Sequence, residues 1–130
     1  MKYLSLLMVL FASFFALAFT PSFDPDPEII ITSPEEGQEF TGGTTITIGV
    51  NVECDCMIEN LMVKLADGRE TLEPVMYHES AVNKMHATQF SQSITLPTVT
   101  EEMDLELEVE IRDKTGDDLS SEQITITVLP

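Results

Sequence analysis

Cys54-Asp55-Cys56 is the most specific chemical feature of the chain, because it sets two thiols two residues apart and no other cysteine exists. Thiols at this spacing serve as a disulfide, as soft-metal ligands or as a redox pair, according to compartment. On a regular strand positions i and i+2 lie about 6.5 Å apart, at the upper edge of disulfide geometry, and a turn closes that gap. A local bond between Cys54 and Cys56, stiffening the loop between two strands, is the expected state. Metal ligation, redox exchange and a pair of structural thiols are the alternatives.

A second constellation is Met76-Tyr77-His78 with Met85-His86. These bring thioethers beside both imidazoles of the chain, and soft sulfur with imidazole suits copper. Met76, His78, Met85 and His86 are therefore the candidate metal ligands. The competing reading is structural, since methionine fills irregular gaps in cores and a histidine often sits on a solvated loop. No cofactor is the primary expectation, and copper is the alternative.

Acids form the third group. Glu102, Asp104, Glu106, Glu108 and Glu110 recur at every second position, so on a strand their carboxylates line one face about 6.6 Å apart. Such a ribbon offers oxygen ligands to calcium or charge to a basic partner. As a solvated sheet face it instead discourages association by repulsion, which is the preferred reading. Asp113, Asp117 and Asp118 surround Gly116 without the D-x-[DN]-x-[DN]-G order of a calcium loop, so a hairpin is expected there and calcium ranks below copper. There is no G-x-S-x-G, H-E-x-x-H, CxxC or glycine-rich phosphate loop, and the chain is not read as an enzyme.

The elements that must position these groups are strands throughout. Thr44 to Glu53 alternates Ile46, Ile48, Val50 and Val52 with polar residues, and Asp104 to Arg112 alternates Leu105, Leu107, Val109 and Ile111 with acids. That period of two marks half-buried antiparallel sheet. Further strands are expected at Glu28–Ser33, Ile58–Ala66, Thr88–Leu96 and Ser120–Leu129. A weak edge strand is expected at Glu70–Tyr77, broken by Pro74, and Glu79–Ala87 reads as irregular. Turns fall at Pro34-Glu35-Glu36-Gly37, Asp67-Gly68 and Asp113–Asp117, with Phe40 plugging inward before Gly42-Gly43. No segment holds a helical period. The expectation is an all-β fold: an antiparallel β-sandwich of about seven strands, with a small closed barrel as runner-up.

Ahead of this domain Lys2 supplies a positive n-region, Leu4 to Phe19 is an unbroken run of apolar and small residues, and Ala16-Leu17-Ala18 fits the small-residue pattern of a signal-peptidase site. Residues 1–18 are therefore read as a signal peptide, 19–27 as a proline- and acid-rich tether, and 28–130 as the domain. An uncleaved anchor is the rival, although the sixteen residues from Leu4 to Phe19 fall short of the ~20 that span a bilayer. Export implies a secreted, periplasmic or cell-surface protein with no membrane span after cleavage. The 130 residues carry 6 Lys and Arg against 23 Asp and Glu, a net charge of −17. Nucleic acid is excluded as a partner, since its binding depends on clustered cations that neutralise phosphates.

The opening Ile29-Ile30-Ile31-Thr32-Ser33-Pro34-Glu35-Glu36-Gly37, followed by Phe40, Gly42-Gly43 and the alternating strand from Ile46 to Val52, resembles bacterial immunoglobulin-like domains. Ile111-Arg112-Asp113-Lys114-Thr115-Gly116 is similar to their last hairpin. The resemblance implies an immunoglobulin-like sandwich and an extracellular or periplasmic binding, adhesive or spacer role. The chain departs from antibody-type domains in having no Trp to pack on an inter-sheet disulfide. The expected function is a non-catalytic exported interaction or structural module of the envelope or extracellular space, its partner a protein or glycan bound by loops at one end. A periplasmic copper-type binding protein is the alternative.

Overall fold

The computed structural model describes residues 27–69 and 73–130, apart from the side chains of 55–56 and 83–86. The signal-peptide reading of 1–18 and all but the last residue of the tether lie outside the described residues. Six strands follow in order: β1 (Glu28–Ser33), β2 (Glu39–Thr41), β3 (Thr45–Asp67), β4 (Met76–Thr95), β5 (Met103–Arg112) and β6 (Asp118–Leu129).

Two of these are long, and they set the architecture. β3 and β4 form one extended antiparallel hairpin, from Thr45 opposite Thr95 to Leu65 opposite Met76. The first half of β3 also pairs with β1 (Ile29 opposite Val52), whereas its second half pairs with β5 (Val63 opposite Val109). The hairpin therefore bends from one layer into the other, and six continuous strands supply eight segments in two sheets. One sheet holds β1, the first half of β3 and the second half of β4. The other holds the first half of β4, the second half of β3, β5, β6 and β2, which lies parallel to β6. The all-β sandwich is thus observed, with eight segments where about seven strands were expected.

The bend is made by register shifts. Cys54–Met57 on β3 stand opposite His86 alone on β4, because Glu53 pairs with Ala87 and Ile58 with Met85. Extra residues in one strand of a pair bend it and increase its twist. This corrects two expectations: the cysteine segment is a bulge within β3 and not an inter-strand loop, and Glu79–Ala87 belongs to β4 and is not irregular. The strand expected at Glu70–Tyr77 begins only at Met76, after Pro74, whose missing N–H cannot join a ladder. Phe40 packs inward against the core as expected, and does so from the short strand β2, which the sequence pattern does not mark.

Alternation built the core as read. Ile46, Ile48, Val50 and Val52 from β3 meet Leu105, Leu107, Val109 and Ile111 from β5, with Ile126 and Val128 from β6. No buried side-chain N or O atom lacks a hydrogen-bond partner among the described residues.

Candidate functional site

The β4–β5 connection is drawn tightly over one end of the sandwich, and glycine permits it. A Cβ on Gly42 would stand 2.8 Å from the Pro97 carbonyl oxygen, a separation that real Cβ atoms do not tolerate, so only glycine lets these backbones meet. The Gly43 N–H donates to the Leu96 carbonyl at 3.1 Å and the Leu96 N–H to the Thr44 carbonyl at 2.9 Å. These bonds fix the start of the segment that runs on through Val99 to Met103, both packed on the core.

Facing that segment is the β3–β4 turn. The Arg69 N–H donates to Asp67 Oδ1 at 3.2 Å. At Gly68 a Cβ would come within 3.0 Å of Glu106 Oε1, so the missing side chain leaves the Glu106 carboxylate room at the turn. Between turn and connection opens a groove of about 800 Å³, lined among the described residues by the acids Asp67, Glu101, Glu102, Asp104 and Glu106 and by one cation, Arg69. Asp104 is held in place by the Thr127 hydroxyl, which donates to its Oδ1 at 2.8 Å.

Among the described residues no three His, Cys, Asp or Glu side chains gather closely enough to hold one metal ion. The groove carboxylates are spread along its walls. Such an arrangement meets several separate positive charges better than it meets one ion that needs six or more oxygens. Beyond the groove the acid ribbon is paired along its length. Glu108 accepts from Lys64 at 3.1 Å, and Glu110 accepts from Arg112, which also reaches Asp118 at 3.1 Å. The ribbon is therefore a neutralised sheet face at Glu108 and Glu110 and opens into the groove at Glu106 and Asp104.

The remaining acid cluster is a hairpin. Asp113 Oδ1 accepts from the Thr115 hydroxyl at 2.6 Å, the Thr115 N–H at 2.8 Å and the Asp117 N–H at 3.1 Å. These bonds, the Thr115 hydroxyl foremost, hold the Asp113 carboxyl below its ordinary range. Asp118 is taken by Arg112. On β4 the exposed Tyr77 hydroxyl donates to Glu79 Oε2 at 2.8 Å and the Asn60 amide donates to Glu79 Oε1 at 3.0 Å. The two bonds, Tyr77 first, lower the Glu79 carboxyl, and the same bond to Glu79 raises the Tyr77 hydroxyl.

Of the four candidate metal ligands, the side chains of Met76 and His78 are described. Met76 lies in the core at 6% exposure, opposite Leu65. His78, opposite Val63, is half-buried and its ring packs on Phe90. The Met85 backbone pairs with Ile58, beyond a register shift between Ile58 and Asn60. The side chains of Met85 and His86 lie outside the described residues. Cys54 is 6% exposed and is not a free thiol, while the Cys56 side chain also lies outside them.

Of the groove residues, the ribbon reading found Glu102, Asp104 and Glu106. Asp67, Arg69 and Glu101 were missed, because only the tertiary meeting of two connections brings them together. The one local signal was Gly42-Gly43, where Gly42 lets the Pro97 backbone approach and Gly43 takes a positive φ of 79°.

No family model matches the chain, and no curated protein matches it. Solved structures do. One is the fibronectin(III)-like modules of CbhA from Clostridium thermocellum, at TM-score 0.51 and 18% identity, covering 78% of this chain, which spans 45% of that one. Another is a Niemann-Pick type C2 protein from Japanese carpenter ant, at TM-score 0.51 and 14% identity, covering 78% of this chain and 89% of the other. At such identities the likeness is one of fold: this chain is a β-sandwich of the fibronectin(III)- and immunoglobulin-like kind.

Proposed function

We propose that the chain is a non-catalytic, exported interaction module whose end groove receives a basic partner. Five acids against one arginine among the groove's described residues carry the reading. Their separation along the walls selects a partner with several positive charges, such as a Lys- and Arg-rich protein segment. Export is supported by the apolar leader with its Ala16-Leu17-Ala18 site, and by a Cys54 that is not a free thiol, as expected of Cys54 joined to Cys56 in an oxidising compartment. A non-catalytic role accords with the fold and with the lack of any nucleophile–base motif in the sequence.

Titration of the purified domain with a short oligolysine peptide, followed by calorimetry, tests the proposal. Binding is expected at low ionic strength, weakening steeply as salt screens the exposed charges. It should fall further in the double variant Glu101→Gln, Glu102→Gln. Binding equal in wild type and variant would remove the groove as the site.

A further inference from the structure

The two sheets differ in what their outer surfaces carry. All the ion pairs of the described residues lie on the sheet containing β5 and β6. On the opposite sheet Thr45 to Asn51 of β3 and Ala87 to Thr95 of β4 contain no charged residue, in a chain of net charge −17. Small hydroxyl rungs cover the surface there: Thr45 Oγ1 lies 3.1 Å from Thr95 Oγ1, and Thr47 Oγ1 lies 3.2 Å from Ser93 Oγ.

This neutral stretch is also an edge. Among the described residues β4 pairs with β3 alone, so the other side of Ala87–Thr95 presents unpaired backbone N–H and C=O groups. Sheet edges are ordinarily protected by charge, proline or bulges. Here the pairing with β3 is regular from Ala87 to Thr95, and the segment has neither proline nor charge. Phe90 and Ile94, only partly buried against the core, border the open edge.

We infer that this edge is a self-association surface, at which the β4 segment 87–95 of a second copy pairs antiparallel across a two-fold axis at Ser91. Such an isologous contact sets each residue against its mirror position. Ser91 meets Ser91, Gln89 meets Ser93 and Ala87 meets Thr95 on the outer side. Phe90 meets Gln92 and Thr88 meets Ile94 on the inner side. No pair opposes like charges, and the partner strand covers Phe90 and Ile94. The acid ribbon lies on the far surface of the other layer, more than the ~10 Å interlayer spacing away, where physiological salt screens repulsion between copies. A neutral edge is thus the surface at which two copies of this acidic chain meet at least electrostatic cost. The inference is independent of the groove, which lies in the other sheet's connections.

Sedimentation equilibrium of the full exported chain across the micromolar range at physiological salt tests it. A reversible monomer–dimer equilibrium is expected. Ser91→Lys, which places two ammonium groups face to face on the axis, should weaken it roughly tenfold or more. Glu122→Lys, which lowers the net negative charge elsewhere on an exposed position, should leave it unchanged or tighten it. In a second measurement, Ser91→Cys should give a reducible dimer and Ser93→Cys much less of one. Directly opposed strand residues lie within disulfide reach, and only Ser91 faces its own copy. A monomer throughout the range, a dimer indifferent to Ser91→Lys, or equal cross-linking at both positions would overturn the proposal.

Discussion

The rings of His78 and Phe90 lie 4.8 Å apart between centroids, with their planes inclined at 42°, although both belong to the single strand β4. A straight strand would separate them by about 40 Å. Their contact is therefore the direct mark of the bend that carries β4 from one sheet to the other, and it closes the sandwich along that side.

Removing either ring should loosen this closure. Phe90→Ala should cost about 2 kcal/mol, less than a fully buried phenylalanine because Phe90 is only partly covered. His78→Ala should cost about 1 kcal/mol. The double variant should lose less than the sum by roughly 0.5–1 kcal/mol, measured by urea unfolding as a double-mutant cycle. Strictly additive losses would mean that the two rings do not support each other.

Acid should weaken the last hairpin first. The Asp113 carboxyl is held below its ordinary value of 3.8 by the Thr115 hydroxyl and two backbone N–H groups. A group depressed on folding contributes stability that is fully present above its unfolded value and is lost as pH falls through the folded one. The Thr115 and Asp117 amides, followed as pH falls below about 4, should lose protection, measured as exchange relative to the intrinsic rate at each pH, ahead of the β3–β5 ladder. Asp113→Asn, which retains an acceptor, should keep most of the melting temperature that Asp113→Ala loses.

Alternating strands were legible because their period of two is dictated by the pleat. Ile46 to Val52 and Leu105 to Ile111 turned inward as read, and β1 was placed at Glu28–Ser33 to the residue. The continuity of β3 and β4 was hidden. Cys54–Met57 and residues 82–86 interrupt the alternation, and an interruption reads the same whether the chain turns or bulges. β2 was hidden for another reason: its three residues, Glu39–Thr41, are held by pairing with Thr127–Leu129, far along the chain. The groove shared that fate, since Asp67 and Glu101 are brought together by tertiary contact alone.

Cys54 and Cys56 should be joined to each other. They share one bulge and the chain has no third cysteine, so the nearby partner has a far higher effective concentration than one on another molecule. Mass spectrometry of the protein purified without reductant and alkylated without reduction should show a monomer two hydrogens lighter than the dithiol and no adduct. Two adducts would mean free thiols, and a reducible dimer in the wild type would mean pairing between copies.

Met76 should behave as a core residue. Met76→Leu conserves volume and should cost less than about 1.5 kcal/mol, against about 2–5 kcal/mol for Met76→Ala. Protein purified without a tag, incubated with copper and desalted, should retain less than stoichiometric metal by elemental analysis. Stoichiometric copper that Met76→Leu abolishes would assign Met76 to a metal site instead.

The reading of the groove is tested most directly by mapping where a basic peptide sits. Amide chemical shifts of the isotopically labelled domain, followed during an oligolysine titration at low salt, are expected to move at Gly68, Arg69 and the segment from Thr98 to Asp104. They should stay still at Thr45–Asn51 and Ala87–Thr95. Changes centred instead on Glu108, Glu110 and Glu122, or spread evenly over every acidic surface, would show that the charge of the chain binds the peptide and the groove does not.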